Sequence, residues 1–472
     1  MSILSILTKM TLPTSLLLLA GCQMTDLAEN PLGTLKSSSA ATKNDESNGA
    51  IKETLANILS LKDVVAEATP KINVDASFSK TISAAVKSDP KVQMAKSEVL
   101  RQQAKLGVTK SQLDFQFSGT VYAGIEDVTD ETSGIAAVLS ASRVMYDGGQ
   151  ISNTVLSEEY AVQSALEAYH ASLGERALYV GTAWVELERY RSLNALISGR
   201  LAVLNPLIKQ LEQIADAGVG DATQVAAAER TVAMIRVTQT DIEERLAQAE
   251  LQFVRLFGSL PNNVTFDAAS VSNAVPSKVN DSMAMSAPGL LANYASYLSS
   301  LYGLEVAKLR NNMTVGFETK VQRPFGQSGY DSDESVGFVV RKTLYDGGRL
   351  ASEVLTAQAA VDRQKGVLKD VYRSGRQAVE TGMQSISSME KAIAMAKENA
   401  QALSDEIALL RKQLVIGQST LDSVLSAEAR LYDAEAKEIN FTADKRTSQL
   451  TVLSAIGRLS AVVGIKAENE FK

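Results

Sequence analysis

One cysteine, Cys22, and one histidine, His170, are the only thiol and imidazole groups in this chain of 472 residues. That count excludes an intrachain disulfide, every multi-cysteine zinc or iron–sulfur pattern, and a histidine cluster within one chain. Gly218-Val-Gly220 follows a helical stretch rather than a strand and lacks the third glycine of a dinucleotide fingerprint. No Gly-Lys-Ser/Thr phosphate loop occurs. His170 and Trp184 read as packing or surface residues, and Glu229 and Glu428 as solvated or interhelical carboxylates. These residues predict no catalytic group, no metal and no cofactor. A net charge of −7, from 47 basic and 54 acidic residues, leaves no electrostatic footprint for nucleic acid. What remains is charge placed at turns: Asp147 and Asp346 before glycine pairs, Asp221 and Asp422 after Gly218 and Gly417.

The chain start carries its own signal. Lys9, the apolar run Leu16-Leu17-Leu18-Leu19 and the small residues Ala20-Gly21 predict a secretory signal over residues 1–21. The run is shorter than the roughly 20 apolar residues of a membrane-spanning helix. Leu19-Ala20-Gly21-Cys22 resembles the bacterial lipobox, which implies cleavage before Cys22 and acylation there. Gln23, rather than Asp, follows the cysteine, and in lipoproteins this implies sorting to the outer membrane. Several acyl chains on one anchor hold well where one binds weakly. Residues 22–70, polar and including Ser37-Ser38-Ser39, read as the acylated N-terminus and a flexible tether.

The elements that position the turn carboxylates come twice. Tyr146-Asp147-Gly148-Gly149 recurs as Tyr345-Asp346-Gly347-Gly348, an offset of 199. The same offset pairs Val155 with Val354, Leu204 with Leu403, Gly218 with Gly417, Glu229 with Glu428 and Gly258 with Gly457. One register held over so many turn and apolar positions means two tandem copies of one unit. They are repeat 1 (71–260) and repeat 2 (281–460), joined by a connector (261–280) and followed by a tail (461–472). Each copy has a helix (Phe78 to Ser111; Met283 to Asn311), two strand-like segments, a long helix (Ile151 to Asp216; Leu350 to Val415) and a last helix. At 1.5 Å per residue each long helix reaches roughly 100 Å, with Pro206 expected to kink the first. The asymmetry of elements predicts a mainly α chain that carries two β-hairpins.

The strand segments are 114–124 and 134–145, then 313–322 and 336–344. Tilted strands of roughly 9–11 residues cross a bilayer, and these segments have 9 to 12 residues. Phe115, Phe117, Val121 and Ala123 alternate with Gln116, Ser118, Thr120 and Tyr122, and Val336, Phe338 and Val340 alternate in the same way. One face is therefore fit for lipid and the other for water, although a surface hairpin on a soluble protein shows the same period. Four strands cannot close a barrel, and an open edge in lipid costs several kcal/mol per unpaired backbone group. Spanning would require other copies. Asp147 and Asp346 suit helix caps, the glycines suit the change of direction, and Tyr146 and Tyr345 suit a membrane–water boundary.

The lipobox at Cys22, the paired Tyr-Asp-Gly-Gly turns and the paired turn–helix segments, Gly218 to Glu229 and Gly417 to Glu428, together resemble the TolC-like outer-membrane efflux protein family. The likeness covers about residues 75 to 460. It implies a homotrimer: a 12-stranded transmembrane β-barrel, four strands per chain, continuing into a long periplasmic α-helical barrel. It further implies a passive exit duct for drugs or for type I secretion of proteins. A periplasmic adaptor and an inner-membrane pump of the ABC or RND type would be its partners. In that family the duct narrows near the Gly-containing turns, which makes Asp221, Asp422, Gly218 and Gly417 the aperture candidates. Familiar members carry two Asp in the second copy; Asp422-Ser-Val-Leu-Ser-Ala has one, displaced by one position. Both Asp residues also suit helix N-caps. The competing reading is a lipid-anchored periplasmic coiled-coil adaptor, which would need β-rich modules bracketing a single helical hairpin.

Overall fold

The computed structural model describes residues 70–465, apart from 128–131, 217–221, 279–280, 327 and 417. Cys22 and the chain start, Gly218, Asp221 and Gly417 lie outside the described residues.

Repeat 1 opens with α1 (Phe78–Ser88) and α2 (Pro90–Ser111). The single helix expected over Phe78 to Ser111 is two, because the residue before a proline is driven out of the α region. Asp89 takes the extended conformation and its carboxylate accepts from the Lys91 N–H at 2.9 Å, so the break is also a cap. Strands β1 (Gln116–Asp127) and β2 (Thr132–Tyr146) follow, then α3 (Gln150–Asp216) and α4 (Ala222–Phe257). The connector holds a short helix, α5 (Ala268–Ala274).

Repeat 2 opens with α6 (Asp281–Met285) and α7 (Pro288–Leu309), again parted ahead of a proline. Then come β3 (Thr314–Phe325), β4 (Asp333–Arg341), α8 (Arg349–Val415), α9 (Leu421–Ala455) and α10 (Leu459–Val462). The long helices α3 and α8 have 67 residues each, and α3 runs through Pro206 without ending. The strands differ from expectation at their loop ends. β1 and β3 run three residues past 124 and 322, because paired backbone continues into segments whose polar side chains had marked them as loop. β4 stops at Arg341, three residues short of Leu344, because β3 has no residue left to pair beyond Thr314.

The main core sits at mid-length of α3. Trp184 packs edge-on to Phe78 of α1 (5.6 Å) and against Phe253 and Phe257 of α4 (5.5 and 5.9 Å). Leu450 and Leu453 of α9, Val271 of α5 and Leu459 of α10 close the cluster. The short elements thus wrap the long helices at their waist. A second cluster nearer the α3–α4 turn joins Leu193, Ile197, Leu201 and Leu204 to Val232 and Ile235 of α4 and to Val424 and Leu425 of α9. These residues recur at helical spacing, which is why one stripe of α3 meets two partners.

Candidate functional site

The four strands form one antiparallel sheet in chain order, and β2 pairs with β3 across the two repeats. Directly opposed residues share a face, so the register sorts every side chain. Phe117, Ala141, Thr319 and Val336 lie in one row; Gly119, Leu139 and Val321 lie in the next. That face also carries Phe115, Phe317, Phe338 and Val340, with Phe317 touching Phe115 at 6.2 Å and Phe338 at 5.7 Å between ring centroids. It lies open among the described residues: Phe117 is 78% exposed, Leu139 65% and Val336 72%. Contiguous apolar surface of this kind marks contact with membrane or protein.

The opposite face is the more polar of the two, although Tyr122, Ala136, Val138, Val144 and Val339 also lie on it. It carries Gln116, Ser118 and Thr120 on β1, Ser140 and Ser142 on β2, and Glu318, Lys320 and Gln322 on β3. Ser118 and Ser140 share a hydrogen bond of 2.7 Å, and Arg341 donates to Glu318 at 2.7 Å. Charges on the apolar face stand only at its ends. Arg143 lies over the Phe115 ring and donates to the Leu113 carbonyl at the helical end; Arg323 pairs with Glu334 at the loop end. The result is an apolar band between charged rims, backed by a wettable surface. Among the described residues, β1 and β4 have no partner on their outer edges.

The Tyr-Asp-Gly-Gly turns link this sheet to the long helices with the same geometry twice. Asp147 accepts from the N–H groups of Gly149 (2.8 Å) and Ile151; Asp346 accepts from those of Gly348 (3.0 Å) and Leu350 (2.8 Å). Each carboxylate thus satisfies the first free donors of a 67-residue helix. The glycines adopt φ of 68° and 89° in the first copy and 69° and 89° in the second, a region that side chains resist. The Leu350 N–H above all holds the Asp346 carboxyl below the usual carboxylate range. Tyr146 and Tyr345 lie beside the band, 52% and 90% exposed.

At the far end of the helices, Asp422 lies in the first turn of α9, where a negative charge complements the helix dipole. The cap itself is Thr420, whose hydroxyl accepts from the Ser423 N–H at 3.2 Å. The N-cap expectation therefore moves from Asp422 to Thr420. Behind this turn lies an ion cluster of which sequence reasoning found only one member. Glu428, 2% exposed, binds Arg200 of α3 at 3.0 Å and Arg411 of α8 at 2.6 Å, and Arg200 also binds Glu435 at 2.5 Å. Arg200 left no local signal, since its partners lie in the other repeat. Nearby, burial and then the charges of Asp433 and Asp241 push the Tyr432 hydroxyl up to about 12.

His170 sits half-buried on α3, 3.4 Å from Glu167 of the same helix, and Trp184 is a core residue. Among the described residues no group of carboxylates, His and Cys could hold a metal ion. No described helix is long and apolar enough to cross a membrane, which says nothing of a sheet.

Residues 308–458, from the end of α7 through α9, match the model of the family described as outer membrane efflux protein. The outer membrane efflux protein BepC of Brucella suis biovar 1 is 22% identical over 418 residues, 84% of this chain and 91% of that protein. Among solved structures, the Campylobacter jejuni CmeC outer membrane channel aligns with a TM-score of 0.69 at 13% identity, covering 80% of this chain and 84% of that one. The outer membrane protein VceC from Vibrio cholerae aligns with a TM-score of 0.68 at 16% identity, covering 80% and 95%. Over residues 308–458 the chain is thus similar to the outer membrane efflux proteins, and its helical body with paired hairpins has the fold of the solved outer membrane channels.

Proposed function

We propose that this chain is the subunit of a passive exit duct in the outer membrane. Three copies would join their sheets into a 12-stranded barrel and their helices into a hollow extension on the periplasmic side. One observation carries the reading: a four-stranded sheet with one apolar face, one polar face and two open edges. Such a sheet satisfies its backbone in lipid only when the edges close on further copies. The polar face would then line the water path, and the apolar band would meet lipid. Tyr146 and Tyr345 would stand at the boundary, where amphipathic rings are favoured.

The duct does no bond chemistry. Its energy would come from an inner-membrane pump reached through a periplasmic adaptor, with small toxic molecules or secreted proteins as cargo. Acylation of Cys22 would add an anchor beside the barrel. The carboxylates of Asp221 and Asp422 would face the narrow periplasmic end and favour cations there. The deciding experiment is to purify the chain in detergent, measure its mass and add it to a planar bilayer. A trimer that opens ohmic steps is expected. A monomer that stays in buffer without conductance overturns the reading. Replacing Asp221 and Asp422 together by Ala is expected to lower cation preference, and unchanged selectivity removes them from the aperture.

A further inference from the structure

The four strands carry three arginines, and two of them are ion-paired within the sheet. Arg323 pairs with Glu334, and Arg341 donates to Glu318 at 2.7 Å. Arg143 differs. It stands opposite Phe317, which stands opposite Phe338, so it belongs to the apolar face. Its Nε donates to the Leu113 carbonyl at 3.0 Å, and its guanidinium lies 5.3 Å from the centre of the Phe115 ring. None of its contacts among the described residues is with a carboxylate. β2 is an inner strand, between β1 and β3, so further copies joined at the sheet edges would leave Arg143 on the outer surface.

The backbone beside Arg143 is irregular. The pairing of β2 with β3 shifts between Val144 and Tyr146, and Tyr146 stands opposite Val315, itself opposite Val340. Strict alternation would put Tyr146 on the polar face with Val144. The bulge turns it onto the apolar face instead, one row from Arg143 on the helical side. A tyrosine ring settles at the headgroup level of a membrane, so Arg143 lies on the hydrocarbon side of that level. A bare guanidinium there is costly unless an anion meets it. The second copy has the same order: Arg143-Val-Met-Tyr146 recurs as Lys342-Thr-Leu-Tyr345 at the 199 offset. The strands agree, since Ser142 opposite Gln116 corresponds to Arg341 opposite Thr314. Lys342 is exposed one residue past β4 and continues the alternation of Phe338 and Val340.

We propose that Arg143, and Lys342 at the matching place of the second repeat, bind the headgroups of anionic phospholipids in the leaflet on the helical side. This rests on the exit-duct reading, which puts the apolar face in lipid, and it says which lipid that face selects. A guanidinium has five N–H donors; with one given to Leu113, enough remain for two parallel bonds to phosphate oxygens. The lysine ammonium meets phosphate as a point charge. A zwitterionic headgroup brings its own cation to the phosphate, so selection falls on headgroups of net negative charge.

The test is lipid binding by the full chain, purified in detergent and stripped of lipid. It is titrated with phosphatidylglycerol or phosphatidylcholine while bound lipids are counted by native mass spectrometry. Phosphatidylglycerol is expected to bind the trimer more tightly. Arg143→Gln and Lys342→Gln should each weaken that binding at their own site about fivefold and leave phosphatidylcholine unchanged. Arg143→Lys keeps the charge and should keep the preference; a loss equal to that of Arg143→Gln would make the residue structural and overturn its part. Lys320→Gln, which removes a cation from the polar face, should leave both lipids unchanged. Equal binding of the two lipids by the unaltered chain overturns the proposal. So does phosphatidylglycerol binding that neither Gln variant lowers, or that Lys320→Gln lowers as much, since net charge would then be the cause. If the unaltered chain forms no trimer and opens no bilayer, the duct reading itself fails; if it conducts and shows no lipid preference, this site alone fails.

Discussion

The two long helices have the same length and the same Asp-Gly-Gly start, yet they live in different surroundings. α3 is flanked by α2 and α4 of its own repeat and by α7 and α9 of the other. Among the described residues, α8 has α7 and α9 along one flank and no long helix along the other. Trp184 of α3 is fully buried, and Met383, its counterpart at the 199 offset, is only partly covered. The ion cluster shows the same inequality. Arg200, Glu428 and Glu435 translate to Asn399, Glu229 and Arg236, so the clamp that joins the repeats has no ionic copy on the outer flank. Equal sequence pattern therefore does not give equal burial; the neighbours each helix meets in the chain do.

The comparison can be broken by paired substitutions. The largest contrast is expected at the waist. Trp184→Ala should cost about 4 kcal/mol through the cavity it leaves, and Met383→Ala about 2 kcal/mol, read from denaturant midpoints of the detergent-solubilised protein. Equal losses would mean that α8 is covered as fully as α3. Next comes the clamp. Glu428→Gln leaves Arg200 and Arg411 short of a buried partner and should cost about 3 kcal/mol. The exposed counterpart Glu229→Gln should stay within about 0.5 kcal/mol.

Smaller effects sharpen the likeness of the two turns. Asp147→Ala removes two N–H acceptors and should cost about 1 kcal/mol in thermal stability. At the second turn the reading is pH. The lowered Asp346 carboxyl contributes stability in full above the unfolded value of about 4, and that contribution fades as pH falls through the lower folded value. Asp346→Asn should therefore lower the melting temperature near neutrality and converge with the unaltered chain at low pH, which flattens the acid limb of the profile. An unchanged acid limb would remove the turn from the acid response.

The features legible in the sequence were those written in short-range order. The recurrence of Tyr-Asp-Gly-Gly fixed the helix starts at 150 and 349 to within one residue, and the alternation around Phe117 and Phe338 sorted the faces of the sheet. Pro90 and Pro288 carried the breaks that a helical period alone passes over. What the sequence hid was long-range pairing. Nothing local marks β2 as the neighbour of β3, or Arg200 as the partner of Glu428, because each half of the pair is an ordinary residue in its own setting. Asp422 invited a capping role by its type and place after a turn, but Thr420 stands nearer the first free N–H groups and takes it.

The β2–β3 pairing has a consequence in time. Leu139 and Val321 stand about 180 residues apart in the chain, whereas each hairpin closes through its own short loop, and contacts so distant form slowly. Packing of the helical body between them shortens the loop that this pairing must close. During that interval the chain bears unpaired strand edges beside a Phe- and Val-rich surface, a template for misassociation in water. A defect at the waist, far from the strands, should thus surface first as clumping of newly made protein in transit, ahead of any fault in a finished pore.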